Sequence, residues 1–215
     1  MFSLFLQTFP YLAKGALNTL YLSAICLFLG LLIGILSGIL SVGPNKFIRG
    51  IISTYVYLIR GIPLLVLLFL TYYSLPLAGI DLNPGIAAAG SISVYCGAFI
   101  SEIIRGAILS LPIGQTDAAK SLGMRYWLYM GRVIVPQAMQ YAIPPIVNIG
   151  LMCIKFTALV SIINVWELTF AGKEMSEVTL KPFHIYMEVA LIYFIFCFSL
   201  SRLGLFLEKK IHYEH

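Results

Sequence analysis

Gly114-Gln115-Thr116-Asp117-Ala118-Ala119-Lys120-Ser121-Leu122-Gly123 lies at the centre of Ser110 to Arg132, the longest hydrophilic interruption in a 215-residue chain otherwise dominated by apolar runs. From Asp117 onward, Ala119, Leu122, Tyr126, Tyr129 and Val133 fall at steps of three and four, while Lys120, Ser121, Arg125 and Arg132 take other faces. That spacing predicts a short amphipathic helix over about 117–130. Thr116 is placed to cap its start, and Asp117 puts an acid in the first turn, where the helix dipole favours it. Pro136 falls just inside the next apolar run. Pattern alone leaves three fates open for such a helix: it rests on lipid, packs on its own bundle, or docks into a soluble partner.

The surroundings of this stretch are decisive for class. The chain is 60% hydrophobic and 11% charged, with a mean hydropathy of +0.94, whereas a soluble domain carries roughly 25% charge. A soluble globule cannot cover that much apolar surface. Fourteen basic and nine acidic residues leave a net charge of +5 and a pI near 9.0, a balance that in a soluble protein raises the question of nucleic acid. Here the basic residues stand between long apolar runs, and a bilayer is the indicated environment.

A bilayer core about 30 Å thick needs about 20 mostly apolar helical residues. Five runs qualify, at about 15–42, 51–77, 84–104, 134–163 and 183–205. The first is too long for the apolar core of a cleaved signal peptide, and four more follow it. Lys46 and Arg49 lie between the first two runs, Arg105, Lys120, Arg125 and Arg132 between the third and fourth, and Arg202, Lys209 and Lys210 at the end. The alternate side offers Lys14, no basic residue in the turn from Leu75 to Asn83, and Lys173 and Lys181 diluted by Glu167, Glu174 and Glu177. The positive-inside rule puts the amino terminus outside and the carboxyl terminus in the cytoplasm, as an odd number of spans requires. The expected architecture is all-α and polytopic, one transmembrane domain over residues 1–215.

Within the runs, Gly30, Gly34 and Gly38 recur every four residues and predict a close helix approach. Arg60-Gly61-Ile62-Pro63 interrupts the second run: Pro63 removes an internal hydrogen bond, Gly61 loosens the preceding turn, and Arg60 is available for freed carbonyls or an acid. Cys26, Cys96, Cys153 and Cys197 all fall in apolar segments without metal-ligand spacing, as do no ligand pairs among His184, His212 and His215. They read as packing residues and a polar tail, and no metal site is expected.

Gly114 to Gly123, followed by Val135-Pro136-Gln137-Ala138, resembles the EAA loop of ATP-binding-cassette importer permeases, in the branch that imports polar amino acids. Arg60-Gly61-Ile62-Pro63-Leu64-Leu65 and Ser101-Glu102-Ile103-Ile104-Arg105 resemble motifs of the same branch, in the same order, so the likeness spans nearly the whole chain. Asp117 departs from the usual glutamate, keeping the charge with one methylene less reach. The resemblance implies the type I importer permease fold with five transmembrane helices. It implies that Asp117, Ala118, Ala119, Leu122 and Gly123 belong to a coupling helix seated in a separate ATPase subunit, which would hold the ATP and Mg2+. It also implies a second permease subunit, identical or paralogous, an extracytoplasmic substrate-binding protein, and location in the bacterial inner membrane.

No Gly-x-x-x-x-Gly-Lys-Ser/Thr stretch occurs, and Gly172-Lys173 continues with Glu174. The chain is therefore expected to hydrolyse nothing, to bind no cofactor and to carry no catalytic residue. By resemblance, the midplane path involves Tyr95, Gly97, Phe99, Phe156 and Thr157, close to Lys155. Family members that carry basic amino acids tend to have an acid where Phe156 stands, so arginine and lysine are disfavoured as cargo. Glu102 and Arg105, three apart on one helix face, are expected to pair, and with Arg60 and Pro63 to serve as gate or architecture. The loop from Glu167 to Lys181 reads as either a docking edge for a binding protein or a solvated connector. The competing class, a channel or ion-coupled carrier working without ATP, needs intramembrane acids, and the spans offer little besides Glu102 and Glu188.

Overall fold

Helix α1, Phe2–Leu40, runs unbroken past Lys14 and Pro10, so the first apolar run begins earlier than its charge pattern indicates. The structure is a computed structural model describing residues 2–213, with side chains for 6–206. The side chains of Lys209, Lys210 and His212, and all of His215, lie outside the described residues.

The bundle is organised around α4, Pro84–Leu109, which Asn83 caps through its side chain and Pro84 opens at the first helical position. Its Ala88, Ile92, Cys96, Ile100 and Ile104, four apart, are all at most 1% exposed. Three of them meet the glycine stripe of α1. A Cβ placed on Gly30, Gly34 or Gly38 would stand 3.0, 2.5 or 2.6 Å from the Cβ of Cys96, Ile100 or Ile104. Two rows of four-residue period thus interlock, and the missing side chains on α1 set the spacing of the two longest-paired helices.

The second run is not a straight span. Asn45 caps α2, Lys46–Gly61, by accepting from the amides of Phe47 and Ile48. The helix stops at Ile62, which is extended as a residue preceding proline tends to be. Beyond Pro63 the chain turns helical again as α3, Leu64–Phe69, and the two halves lie 105° apart. Among the described residues, four helices are long and apolar enough to cross a membrane, and the bent pair makes a fifth if it is one broken span.

The hydrophilic interruption also differs from its expected form. Helix α5, Ile113–Ser121, follows Pro112 and begins four residues before Asp117, so Thr116 is interior and caps nothing. It ends at a turn in which Gly123 has φ +71°, the Gly123 amide donates to the Lys120 carbonyl, and the Met124 amide donates to the Ala119 carbonyl. These two bonds are the Schellman closure of a helix end, which favours glycine at this position. The expected single helix over 117–130 is therefore two pieces. A new helix opens with α6, Tyr126–Tyr129, widens through one π turn at Met130–Ile134 that accommodates Pro136, and continues as α7, Val135–Phe156.

Glu167 to Lys181 is no solvated connector. Most of it forms α8, Leu168–Thr179, with Leu168, Ala171 and Gly172 buried against α1 and against α9, Pro182–Tyr213. Glu167, between the fourth and fifth spans, is fully buried. Its carboxylate accepts from the Phe170 amide at 2.8 Å, the Tyr193 hydroxyl at 2.9 Å and the Thr19 hydroxyl at 3.3 Å, joining three helices. Burial pushes its pKa above the ordinary glutamate value, outweighing the hydrogen bonds that favour the charged form. An acid raised in this way contributes most below its unfolded pKa and loses that contribution as pH rises through the folded one. We expect Glu167→Ala to leave three donors unmet at about 1–3 kcal/mol each, read as a fall in the detergent-solubilised protein's Tm. Glu167→Gln should retain part of the stability and lose the wild type's gain on acidification from neutral pH.

Candidate functional site

Two places combine exposed side chains with chemistry. The first lies where the break after α2 faces the middle of α4. Tyr95 and Phe99 are one turn apart on α4, with ring centres 5.1 Å apart, and Phe156, at the end of α7, meets Tyr95 edge-on at 5.5 Å. The Arg60 guanidinium sits 5.1 Å from the centre of the Phe99 ring, within the range of a cation–aromatic contact. Arg60 thus rests on a ring, and among the described residues it has no ion-pair partner. Three partly exposed rings under one unpaired guanidinium offer an apolar surface and a fork suited to a carboxylate.

Not every expected path residue joins this corner. Gly97 is enclosed: a Cβ there would stand 2.8 Å from Ile33 Cγ2 and 3.1 Å from the Tyr55 hydroxyl, which itself donates to the Val94 carbonyl. It is a helix-crossing position and touches no open pocket. Thr157 is also fully buried, donating to the Ile154 carbonyl at 2.7 Å. Lys155 is exposed on α7. Glu102 and Arg105 do pair, through two bonds, one of them Nε to Oε2 at 3.0 Å. Sequence reasoning missed the seat of Arg60 on Phe99, because the two are distant in the chain and the only local signal was the proline break beside Arg60.

The second place is α5 and its closing turn. Ala119 is buried in the main core cluster and ties the segment to the bundle, while Asp117, Ala118, Leu122 and Gly123 are exposed. Ile113 and Leu122 are 78% and 82% exposed, so apolar side chains at both ends of α5 face away from the bundle. The Tyr126 hydroxyl donates to the Val42 carbonyl at 3.0 Å, fixing the base of the next helix to the end of α1. The outcome is a short exposed rod, with Ile113 and Leu122 at its two ends and Gln115, Asp117, Ala118 and Lys120 between them, on a footing held by Ala119 and Tyr126.

Residues 30–213 match the family described as binding-protein-dependent transport system inner membrane component. The chain belongs to this family. As such a component it is a multi-pass membrane protein that serves transport and is not an enzyme. It is 36% identical over 215 residues to the probable amino-acid ABC transporter permease protein YckA of Bacillus subtilis, covering 98% of this chain and 92% of that one. It is 35% identical over 204 residues to the glutamine transport system permease protein GlnP of Escherichia coli, covering 94% and 93% of the two chains. A solved structure, "Crystal structure of an amino acid ABC transporter with histidines", superposes with a TM-score of 0.89 at 32% identity over 95% of this chain and 96% of that one. The MetNI methionine ABC transporter superposes at 0.80 with 19% identity, a likeness of fold alone. The type I importer permease fold is therefore the fold of this inner membrane component.

Proposed function

We propose that this inner membrane component moves a neutral or acidic polar amino acid into the cytoplasm by alternating access, powered by ATP and Mg2+ held in separate ATPase subunits. The observation that carries the reading is the exposed outer side of α5 and its closing turn, where Asp117, Ala118, Leu122 and Gly123 face away from the bundle, anchored behind by Ala119 and closed by the left-handed turn at Gly123. Asp117, Ala118, Leu122 and Gly123 form the coupling surface, and Ala119 is its anchor. Closure of the ATPase pair displaces this rod, and the footing at Tyr126 passes the motion into α6 and α7.

A second permease subunit completes the path across an axis, and a substrate-binding protein delivers cargo at the opposite face from α5. The amino terminus lies outside and the carboxyl terminus in the cytoplasm, in keeping with the basic residues around α5. Cargo meets Tyr95, Phe99 and Phe156, with its carboxylate toward Arg60. Among the described residues, the one acid near that corner, Glu102, is already paired with Arg105, so a cationic side chain would be desolvated without a free counter-charge. Arg60, Pro63, Glu102 and Arg105 shape the gate around it.

Reconstitution of the complete transporter in proteoliposomes tests the reading. ATP-driven uptake of a neutral or acidic amino acid is expected. Phe156→Ala with Arg60→Gln should cut uptake by about tenfold, the loss of one charge-assisted contact of roughly 1.5–3 kcal/mol, while the ATPase subunits still co-purify. Uptake that continues without the ATPase subunits would refute the reading in favour of a carrier.

A further inference from the structure

A polar cavity of about 180 Å³, roughly six waters' worth of liquid volume, opens between the end of α1, the middle of α2 and the end of α4, on the far side of the Glu102–Arg105 pair from the α2 break. Arg49, Ser53 and Tyr57 line it from α2, Ser41 from α1, and Glu102 and Arg105 from α4. The donors there are unequally engaged. Ser41 spends its proton on the Gly38 carbonyl at 2.6 Å, and Glu102 and Arg105 neutralise one another through two bonds. Among the described residues, Arg49, Ser53 and Tyr57 have no hydrogen-bond or ion-pair partner. Arg49, Ser53 and Tyr57 are exposed, so the open cavity carries one uncompensated positive charge beside the free hydroxyls of Ser53, Tyr57 and Ser101.

That inventory fits an oxyanion. A zwitterion would need a free carboxylate for its ammonium group, and the cavity's single acid is already bound on both oxygens. The location narrows the class further. The cavity lies at the end of the bundle that bears Lys46, Arg49 and Arg105, the cytoplasmic end in the orientation proposed above, and basic pockets between transmembrane helices on that side take anionic headgroups. Beside it, the outer face of α2 leaves Phe47, Ile51 and Leu58 exposed, an apolar flank along which acyl chains can lie.

We propose that the cavity between α1, α2 and α4 binds the phosphate diester of an anionic phospholipid headgroup, with Arg49 as counter-charge and Ser53 and Tyr57 as hydrogen-bond donors. Bound there, the lipid ties α2 to α4 at the end opposite the Pro63 bend and steadies the bent pair. Free phosphate offers the same oxyanion chemistry without the acyl chains.

The test uses the purified complete transporter in detergent, with Tm followed against short-chain phosphatidylglycerol, phosphatidylcholine or inorganic phosphate. Phosphatidylglycerol should raise the Tm more than phosphatidylcholine. Arg49→Gln should weaken its apparent affinity by about fivefold, the worth of one basic residue at an anionic headgroup. Arg49→Lys, which keeps the charge, should recover most of that loss and shows that the site rather than the fold was altered. Lys46→Gln, one turn away and not lining the cavity, should change the affinity little. Equal effects of the two lipids, or an equal loss in Lys46→Gln and Arg49→Gln, would overturn the proposal. Inorganic phosphate reproducing the shift at the same concentration would overturn the lipid and assign the site to the free ion.

Discussion

Gly123→Val should abolish most ATP-driven uptake while leaving the amount of protein in the membrane unchanged. Gly123 sits at φ +71° with open space around the position of its absent Cβ, so crowding is not what a side chain would meet. The obstacle is the backbone. A left-handed conformation costs an L-residue about 1–2 kcal/mol, and a β-branched one more. The turn would escape this strain by re-forming, which breaks the bonds from Gly123 and Met124 to the last turn of α5 and re-aims Leu122 and Ala118. An error of about 1.4 kcal/mol in that geometry already corresponds to tenfold in coupling. Gly123→Asn, a residue that tolerates left-handed geometry, should keep most of the uptake. Equal loss in Asn and Val variants would point to a contact surface rather than a turn, and full activity in Val would remove the coupling role.

Gly34→Leu is expected to be the most damaging single change in the bundle, with the chain lost from the membrane fraction. The added Cβ would come 2.5 Å from Ile100 Cβ and 2.9 Å from the Gly97 carbonyl oxygen, atoms of the α4 backbone and its first side-chain carbon that have no rotamer in which to retreat. Overpacking a well-filled core ordinarily costs about 1–3 kcal/mol, and here the two longest-paired helices must separate along their whole seam. Gly106→Leu on α4 provides the contrast, because nothing lies within 4 Å of the corresponding position. It should be tolerated or slightly stabilising, since glycine is about 1 kcal/mol poorer than alanine in a helix. Comparable membrane levels for the two leucine variants, measured by quantitative blotting and Tm, would contradict the seam.

The glycine stripe was legible because close helix approach leaves a four-residue period in the chain, and Pro63 was legible because its missing amide has a local effect. Tyr95, Phe99 and Phe156 are in ring-to-ring contact, whereas Gly97 and Thr157 are enclosed by neighbouring helices. A small residue in a span reads alike whether it faces a cavity or a neighbouring helix. Periodicity misled at α5 for a physical reason. It assumes that apolar residues face inward, and Ile113 and Leu122 face out. Gly123 was expected inside a helix, whereas it closes one, at a backbone angle that glycine favours. In α8, the charges of Lys173, Glu174 and Glu177 masked an apolar face made by Leu168, Ala171 and Gly172, and nothing local announced that Glu167 would be drawn inside by partners on α1 and α9.

The 105° bend at Pro63 bears on how the polypeptide is made. Helix α2 has 16 residues, about 24 Å of rise, and the half beyond the bend, Leu64–Ala78, is no longer than that, so neither half matches the roughly 30 Å of hydrocarbon that an autonomous stop-transfer segment must fill. As it leaves the ribosome, this stretch has no stable transmembrane state of its own. Its insertion is therefore expected to be completed only after α4, synthesised later, emerges and offers its flank.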